Sequence, residues 1–177
     1  MVNSPQSAIT QLRNFAAAGP RIPRVERILR SDEDRARADI VREARSWLLT
    51  PYHPNARVKG VGVDCLTLVV EVLERTGVIE HLEIGHYPND YHLHSAEEIW
   101  KPAVELYARP MELPPARIPK PGDLVLYRIA KIFNHNAIVI EWPTVIHAVM
   151  QQGVFLADAE KDAGLLSCPE RAVFSLW

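Results

Sequence analysis

Apolar side chains recur at helical spacing soon after residue 32: Ile40, Val41, Ala44, Trp47 and Leu48 share one face. Ser31 or Asp32 supplies a cap and acidic residues occupy the first turn, so a helix over about 32–49 is expected. Pro51 and Pro54 end it, and YHPNARVKGVGV (52–63), with almost no periodicity, reads as a surface loop. A second helix follows over 65–76. Leu66, Val69, Val70 and Leu73 form its main face, Leu68 and Val72 fill the other side, and Gly77 is a C-terminal stop, so this helix is expected to be largely buried.

Residues 78–94 are polar and rich in histidine, after which Ser95 and Glu98 read as a capping box for a short helix that Pro102 interrupts. The last third changes period. LVLY (124–127), AIVIEW (137–142), VIHAVM (145–150), VFLA (154–157) and AVFSL (172–176) are short and rich in β-formers, the pattern of an antiparallel sheet. Helices first and consecutive strands afterwards predict an α+β fold in which the buried helix covers one sheet face.

A chain of 177 residues that is 47% hydrophobic fits one compact domain, placed at 32–177. Residues 1–31 form an N-terminal arm: Pro5, Gly19, Pro20 and Pro23 accompany Arg13, Arg21, Arg24, Arg27 and Arg30 against the single acid Glu26. The arm reads either as a loose terminus or as a segment that orders on a partner. A net charge of -2 gives no general attraction to nucleic acid or to an anionic membrane. No apolar run approaches a membrane span, and MVNSPQSAITQLRNF lacks a signal-peptide layout, so the expectation is a protein kept soluble in a cytoplasm unless something else carries it out. Cys65 and Cys168 are read as free thiols.

Cys65 falls in the first turn of the apolar helix, where unpaired N–H groups and the helix dipole favour a thiolate. A lowered thiol pKa, and alkylation faster than that of Cys168, are the expected consequences. The same N–H groups offer an oxyanion site. His135, following the apparent turn AKIFN, is the candidate base. His147 lies beyond a turn at Trp142 and Pro143; if that turn centres near Trp142, residue 137 opposes 147 and His135 becomes the diagonal neighbour of His147. A set of Cys65, His135 and His147 is therefore geometrically permitted, with His147 orienting the base.

Taken in order, TPYHPNARVKGVGVDCLTL (50–68), PGDLVLYR (121–128), HNAIVIEW (135–142) and VIHA (145–148) resemble the NlpC-type papain-like peptidases. The resemblance implies a papain-like fold, a peptidoglycan stem-peptide substrate, no cofactor and the roles just given to Cys65, His135 and His147. It further implies that Tyr52 lines the site near the oxyanion, and that Asp64 caps the helix and faces the substrate's amine. The insert between Tyr52 and Asp64, the stretch YPNDYHLHSAEEIW (87–100) and the closing strand look most like the branch found in phage tail-gene clusters. That implies a virion component whose arm docks on tail-tip proteins. The family usually carries Ser-Gly after the cysteine, and this chain has Leu66 and Thr67.

Two rival readings stand beside it: a non-enzymatic tail-tip adaptor that keeps the fold, and an amidase or acyltransferase using the same Cys and His pair. His81, His86, His92 and His94 are too irregularly spaced for a metal set and read as groove or loop residues, with His92 and His94 pointing the same way if extended. Trp100, Trp142 and Trp177 read as packing residues.

Overall fold

The computed structural model describes residues 32–88 and 90–177, so the expected arm lies outside the described residues. Helix α1 (Glu33–Arg45) turns Ile40 and Ala44 into the core, and Trp47, just past its end, is fully buried. It stops four residues short of the expected end, and Leu48 and Leu49 belong to turns. Asp32 occupies the cap position without a side-chain cap bond. Buried Arg37 ties the helix to the sheet: it donates to Asp123 Oδ1 at 2.9 Å, Pro121 O at 2.6 Å and Ser175 Oγ at 3.2 Å.

The expected loop at 52–63 contains a small antiparallel pair, β1 (Arg57–Val58) and β2 (Gly62–Val63), two residues each. It delivers the chain to helix α2 (Cys65–Arg75), which buries Thr67 through Leu73. Asp64 accepts from the N–H groups of Leu66 and Thr67, and Thr67 Oγ1 returns a contact to Asp64 N, a reciprocal cap. The other end closes on Gly77 at φ 70°, with Gly77 N–H bonded to Glu74 O and Val78 N–H to Leu73 O. Both ends of the buried helix are thus satisfied by residues adjacent to it in sequence.

Helix α3 (Tyr91–His94) and helix α4 (Trp100–Glu105) follow. The capping box expected from Ser95 and Glu98 is absent. Ser95 ends α3, while Glu98 Oε2 accepts from Phe133 N–H at 2.9 Å in the sheet. Pro102 lies in the first turn of α4, where its missing N–H has no intrahelical acceptor to lose, so it sits within the helix and does not interrupt it.

Strands β3 (Arg109–Met111), β4 (Leu124–Ile129), β5 (Ile132–Glu141), β6 (Thr144–Val149), β7 (Gly153–Asp158) and β8 (Arg171–Ser175) form one antiparallel sheet in the order β3-β8-β4-β5-β6-β7. A four-residue helix α5 (Ala163–Leu166) precedes β8. Leu124, Leu126, Ile138 and Ile146 face α1 and α2 in the main core, while Val125, Tyr127, Val139 and Val145 face a second apolar layer that includes Leu165 of α5. The α+β expectation, with the buried helix on one sheet face, describes this arrangement. No helix among the described residues is long and apolar enough to cross a membrane.

Candidate active site

Two irregularities in β5 set the site. Pairing runs Tyr127 to His135 and then Arg128 to Phe133, leaving Asn134 as an extra residue. The turn before it is Ala130–Lys131, with Ala130 at φ 54°, so β5 begins three residues before His135, which lies inside the strand rather than at its start. At the other end the register slips by one between Val139 and Glu141, which brings Ala137 opposite His147. His135 is then the diagonal neighbour of His147 on the same face, and His135 Nε2 meets His147 Nδ1 at 2.8 Å.

Both imidazoles are buried, 9% and 2% exposed. Burial, then the neighbouring His147, pulls the His135 pKa down to about 3; burial pulls His147 down to about 4 against the opposing charge of Asp162. Both rings are neutral at physiological pH. Two neutral rings sharing one hydrogen bond allow two tautomer arrangements, and only the one with His135 Nε2–H donating leaves His135 Nδ1 a free lone pair. That arrangement places the proton of His147 on Nε2, which is buried without a hydrogen-bond partner.

Cys65 and His135 line one cavity of about 230 Å³, together with Tyr52, Asp64, Tyr87 and His92. The thiol donates to Asn134 O, the carbonyl of the extra strand residue, at 3.5 Å. Its pKa departs from expectation: burial first, then the charge of Asp64, pushes it up to about 12. The physical reason is the cap. A carboxylate at the helix N-terminus counters the helix dipole that was expected to favour the thiolate. It also takes up the N–H groups of Leu66 and Thr67 at 3.1 and 2.9 Å, so these are not the open oxyanion donors expected. Cys65's own N–H still favours the charged sulfur.

Asp64 has a second set of partners: Oδ2 accepts from Tyr87 Oη at 2.5 Å and from Asn55 N–H at 2.7 Å. With Thr67 Oγ1 also on Oδ1 at 2.9 Å, five donors meet about four lone pairs, so the carboxylate has no acceptor left for a substrate amine. These contacts make Asp64 the cap of α2. Tyr52 bridges to Val63 at the cavity wall, and burial, then the charges of Cys65 and Asp64, raises its hydroxyl pKa, keeping a neutral donor beside the sulfur.

Cys168 packs against the far apolar layer with Sγ 3.7 Å from Gly164 O. The histidines between 81 and 94 go to different places. His81 pairs with Glu74 at 3.0 Å and His94 with Asp90 at 3.1 Å, while His92 enters the cavity with a buried Nδ1 that lacks a partner. The helical turn of α3, in place of an extended segment, separates His92 from His94. Among the described residues no group of three or more His, Cys, Asp or Glu side chains is placed to hold a metal. Trp100 meets Tyr87 edge-on at 5.2 Å and lines the same cavity. His92 thus takes the groove position open to it in the sequence, whereas Tyr87, Trp100 and Asn134 carry no local spacing that links them to Cys65.

The fold can be set beside known structures. The NlpC/p60 domain of the peptidoglycan hydrolase SagA superposes with TM-score 0.52 at 22% identity, over 77% of this chain and 97% of that one. This is the NlpC/p60 fold. RipB, a peptidoglycan hydrolase of Mycobacterium tuberculosis, gives TM-score 0.52 at 19% identity over 90% of this chain and 79% of its own. A Staphylococcus aureus NLP/P60-family protein similar to a lipoprotein gives 0.53 at 18%, over 78% of this chain and 41% of its own. No family model and no curated protein matches the sequence.

Proposed function

We propose that the chain is a cysteine peptidase that hydrolyses stem peptides of peptidoglycan, with Cys65 as nucleophile, His135 as base and His147 as its orienter. The observation that carries this reading is the 2.8 Å bond from His147 to His135, which lines the cavity that also holds Cys65. The NlpC/p60 fold, shared with two structures described as peptidoglycan hydrolases, supports the substrate class.

A neutral thiol beside a neutral imidazole sets the order of events. As Sγ attacks the scissile carbonyl, His135 Nδ1 takes the thiol proton, and His147 Nδ1 accepts from Nε2–H of the imidazolium so formed. The same proton goes to the leaving amine as the C–N bond breaks, giving a thioester on Cys65. Water, deprotonated by His135, then releases the acid and restores the thiol. The Tyr52 hydroxyl and the Cys65 N–H stabilise the tetrahedral oxyanion. Asp64 acts from behind, fixing the helix end and Tyr87.

We place the enzyme in a phage tail, with tail-tip proteins as partners of residues 1–31 and the host wall as its target. This part of the reading rests on the resemblance of the 52–64 and 87–100 segments to the tail-encoded branch. The neutral, enclosed thiol favours one other reading, an adaptor that keeps the fold without turnover. Purified protein and its Cys65→Ala variant incubated with peptidoglycan separate the two. New amino termini, read by mass spectrometry, from the wild type alone support the peptidase. None from either supports the adaptor.

A further inference from the structure

A second groove runs along helix α2, next to the Cys65 cavity. Leu66, Val69 and Leu73, part of the apolar stripe of that helix, form one wall, and Trp100 and Val104 of α4 form another. Its volume of about 60 Å³ leaves room for roughly four waters, the bulk of a short aliphatic chain. None of the described residues that line it carries a charge. Leu66 and Trp100 also line the cavity that holds Cys65, so the two spaces share a wall at the first turn of α2.

Asn136 is the one amide side chain among the described residues of that groove. It pairs with Leu126 across the sheet and points with it toward α2, among apolar residues. It is 2% exposed, and its Nδ2 has no hydrogen-bond partner. A buried donor without an acceptor destabilises a fold, and leucine would fill this position at lower cost. Apolar walls with one unused donor are the make-up of a pocket that orients an apolar group through a single polar contact.

We propose that this groove is a substrate subsite of the Cys65 centre that takes an uncharged aliphatic side chain, with Asn136 Nδ2 donating to a carbonyl on that chain. A free ammonium at the end of the same chain is rejected, because no lining residue balances its charge. In peptidoglycan the matching group is a diamino acid whose side-chain amine has been acylated, so the subsite selects stems already joined to a neighbour. Ala103 and Val104 on its wall are half-buried, so the groove opens at α4 and the chain beyond the carbonyl leaves there.

The inference rests on the stem-peptide reading, and binding to the full-length Cys65→Ala protein tests it without turnover. Three stem peptides, identical except for lysine, norleucine or Nε-acetyl-lysine at the diamino-acid position, are titrated calorimetrically. The acetyl-lysine peptide is expected to bind on the order of tenfold or more tighter than the lysine peptide, with norleucine between them. Adding Asn136→Leu should remove the advantage of acetyl-lysine over norleucine, about five- to tenfold for one hydrogen bond. Ala103→Phe fills the groove from α4 without entering the Cys65 cavity, which Ala103 does not line, and should bring all three peptides to the affinity of the lysine peptide. Near-UV circular dichroism checks that each variant is folded. A lysine peptide that binds as tightly as the acetyl-lysine peptide, or tighter, overturns the inference and leaves the peptidase reading standing. So does an acetyl-lysine preference that survives unchanged in the folded Asn136→Leu and Ala103→Phe proteins. If none of the three peptides binds, the stem-peptide reading falls and the subsite with it.

Discussion

Removing the Asp64 carboxylate tests the site at its hinge, because one side chain caps helix α2 and anchors Tyr87 and Asn55. Loss of a helix cap costs about 1 kcal/mol. Leaving a buried hydroxyl and a backbone N–H without their acceptor adds about 1–3 kcal/mol each. Asp64→Ala is therefore expected to lose about 3–7 kcal/mol in equilibrium urea unfolding, a large part of the stability of a domain this size. Asp64→Asn keeps one carbonyl oxygen for the cap but turns an NH2 toward donors, so it should fall between. The same Asn change removes the second cause of the raised Cys65 pKa, and the thiol should label faster at pH 9 even as the fold weakens. An Ala variant within about 1 kcal/mol of wild type, with unchanged Cys65 labelling in the Asn variant, would refute the reasoning.

Other outcomes follow from the same geometry. His135 and His147 titrate at about 3 and about 4 in the fold, below their unfolded value of about 6.5, so the unfolded chain binds protons first as pH falls. Their contribution is complete above about pH 6.5 and is lost toward pH 4 at about 1.4 kcal/mol per pH unit per residue, on the order of 4 kcal/mol for both by pH 5. His147→Gln should remove about half of that slope in urea titrations, and an unchanged slope contradicts the burial of a neutral pair. Gly153, at φ 77°, would place a Cβ 2.6 Å from Thr50 O, so Gly153→Ala should lower the thermal midpoint and separate β7 from residues 49–51, seen as faster amide exchange at Leu49 and Val154. Arg37→Met should destabilise by about 3–5 kcal/mol, because it leaves Asp123 buried and uncompensated, while Arg37→Met with Asp123→Leu should recover part of the loss.

The longer strands and helix α2 were legible because their periods are clean and their stops, Gly77 above all, are local. The histidine pairing was legible too, although for a reason the sequence does not display: a two-residue turn at Trp142–Pro143 alone would oppose 138 to 147, and the slip beside Ile140 restores 137. Elements of two or three residues, β1, β2 and the Pro-containing β3, carry too few positions to show a period. Ser95 and Glu98 matched a capping box in spacing while Glu98 was committed to Phe133, 35 residues on. The thiol pKa was not legible, because burial and the capping carboxylate of Asp64 outweigh the helix end. Tyr87 reaches Asp64 across 23 residues, and Asn136 looks in sequence like any polar position of a strand. Contacts of that range leave no mark on local pattern.

The proposed mechanism has Cys65 acylated while His135 receives its proton. A stem peptide mixed with the protein and quenched in acid should leave a thioester, found by peptide mapping on Cys65 and absent in His135→Ala. Product formation with no adduct on Cys65, or with the adduct on another residue, would contradict it.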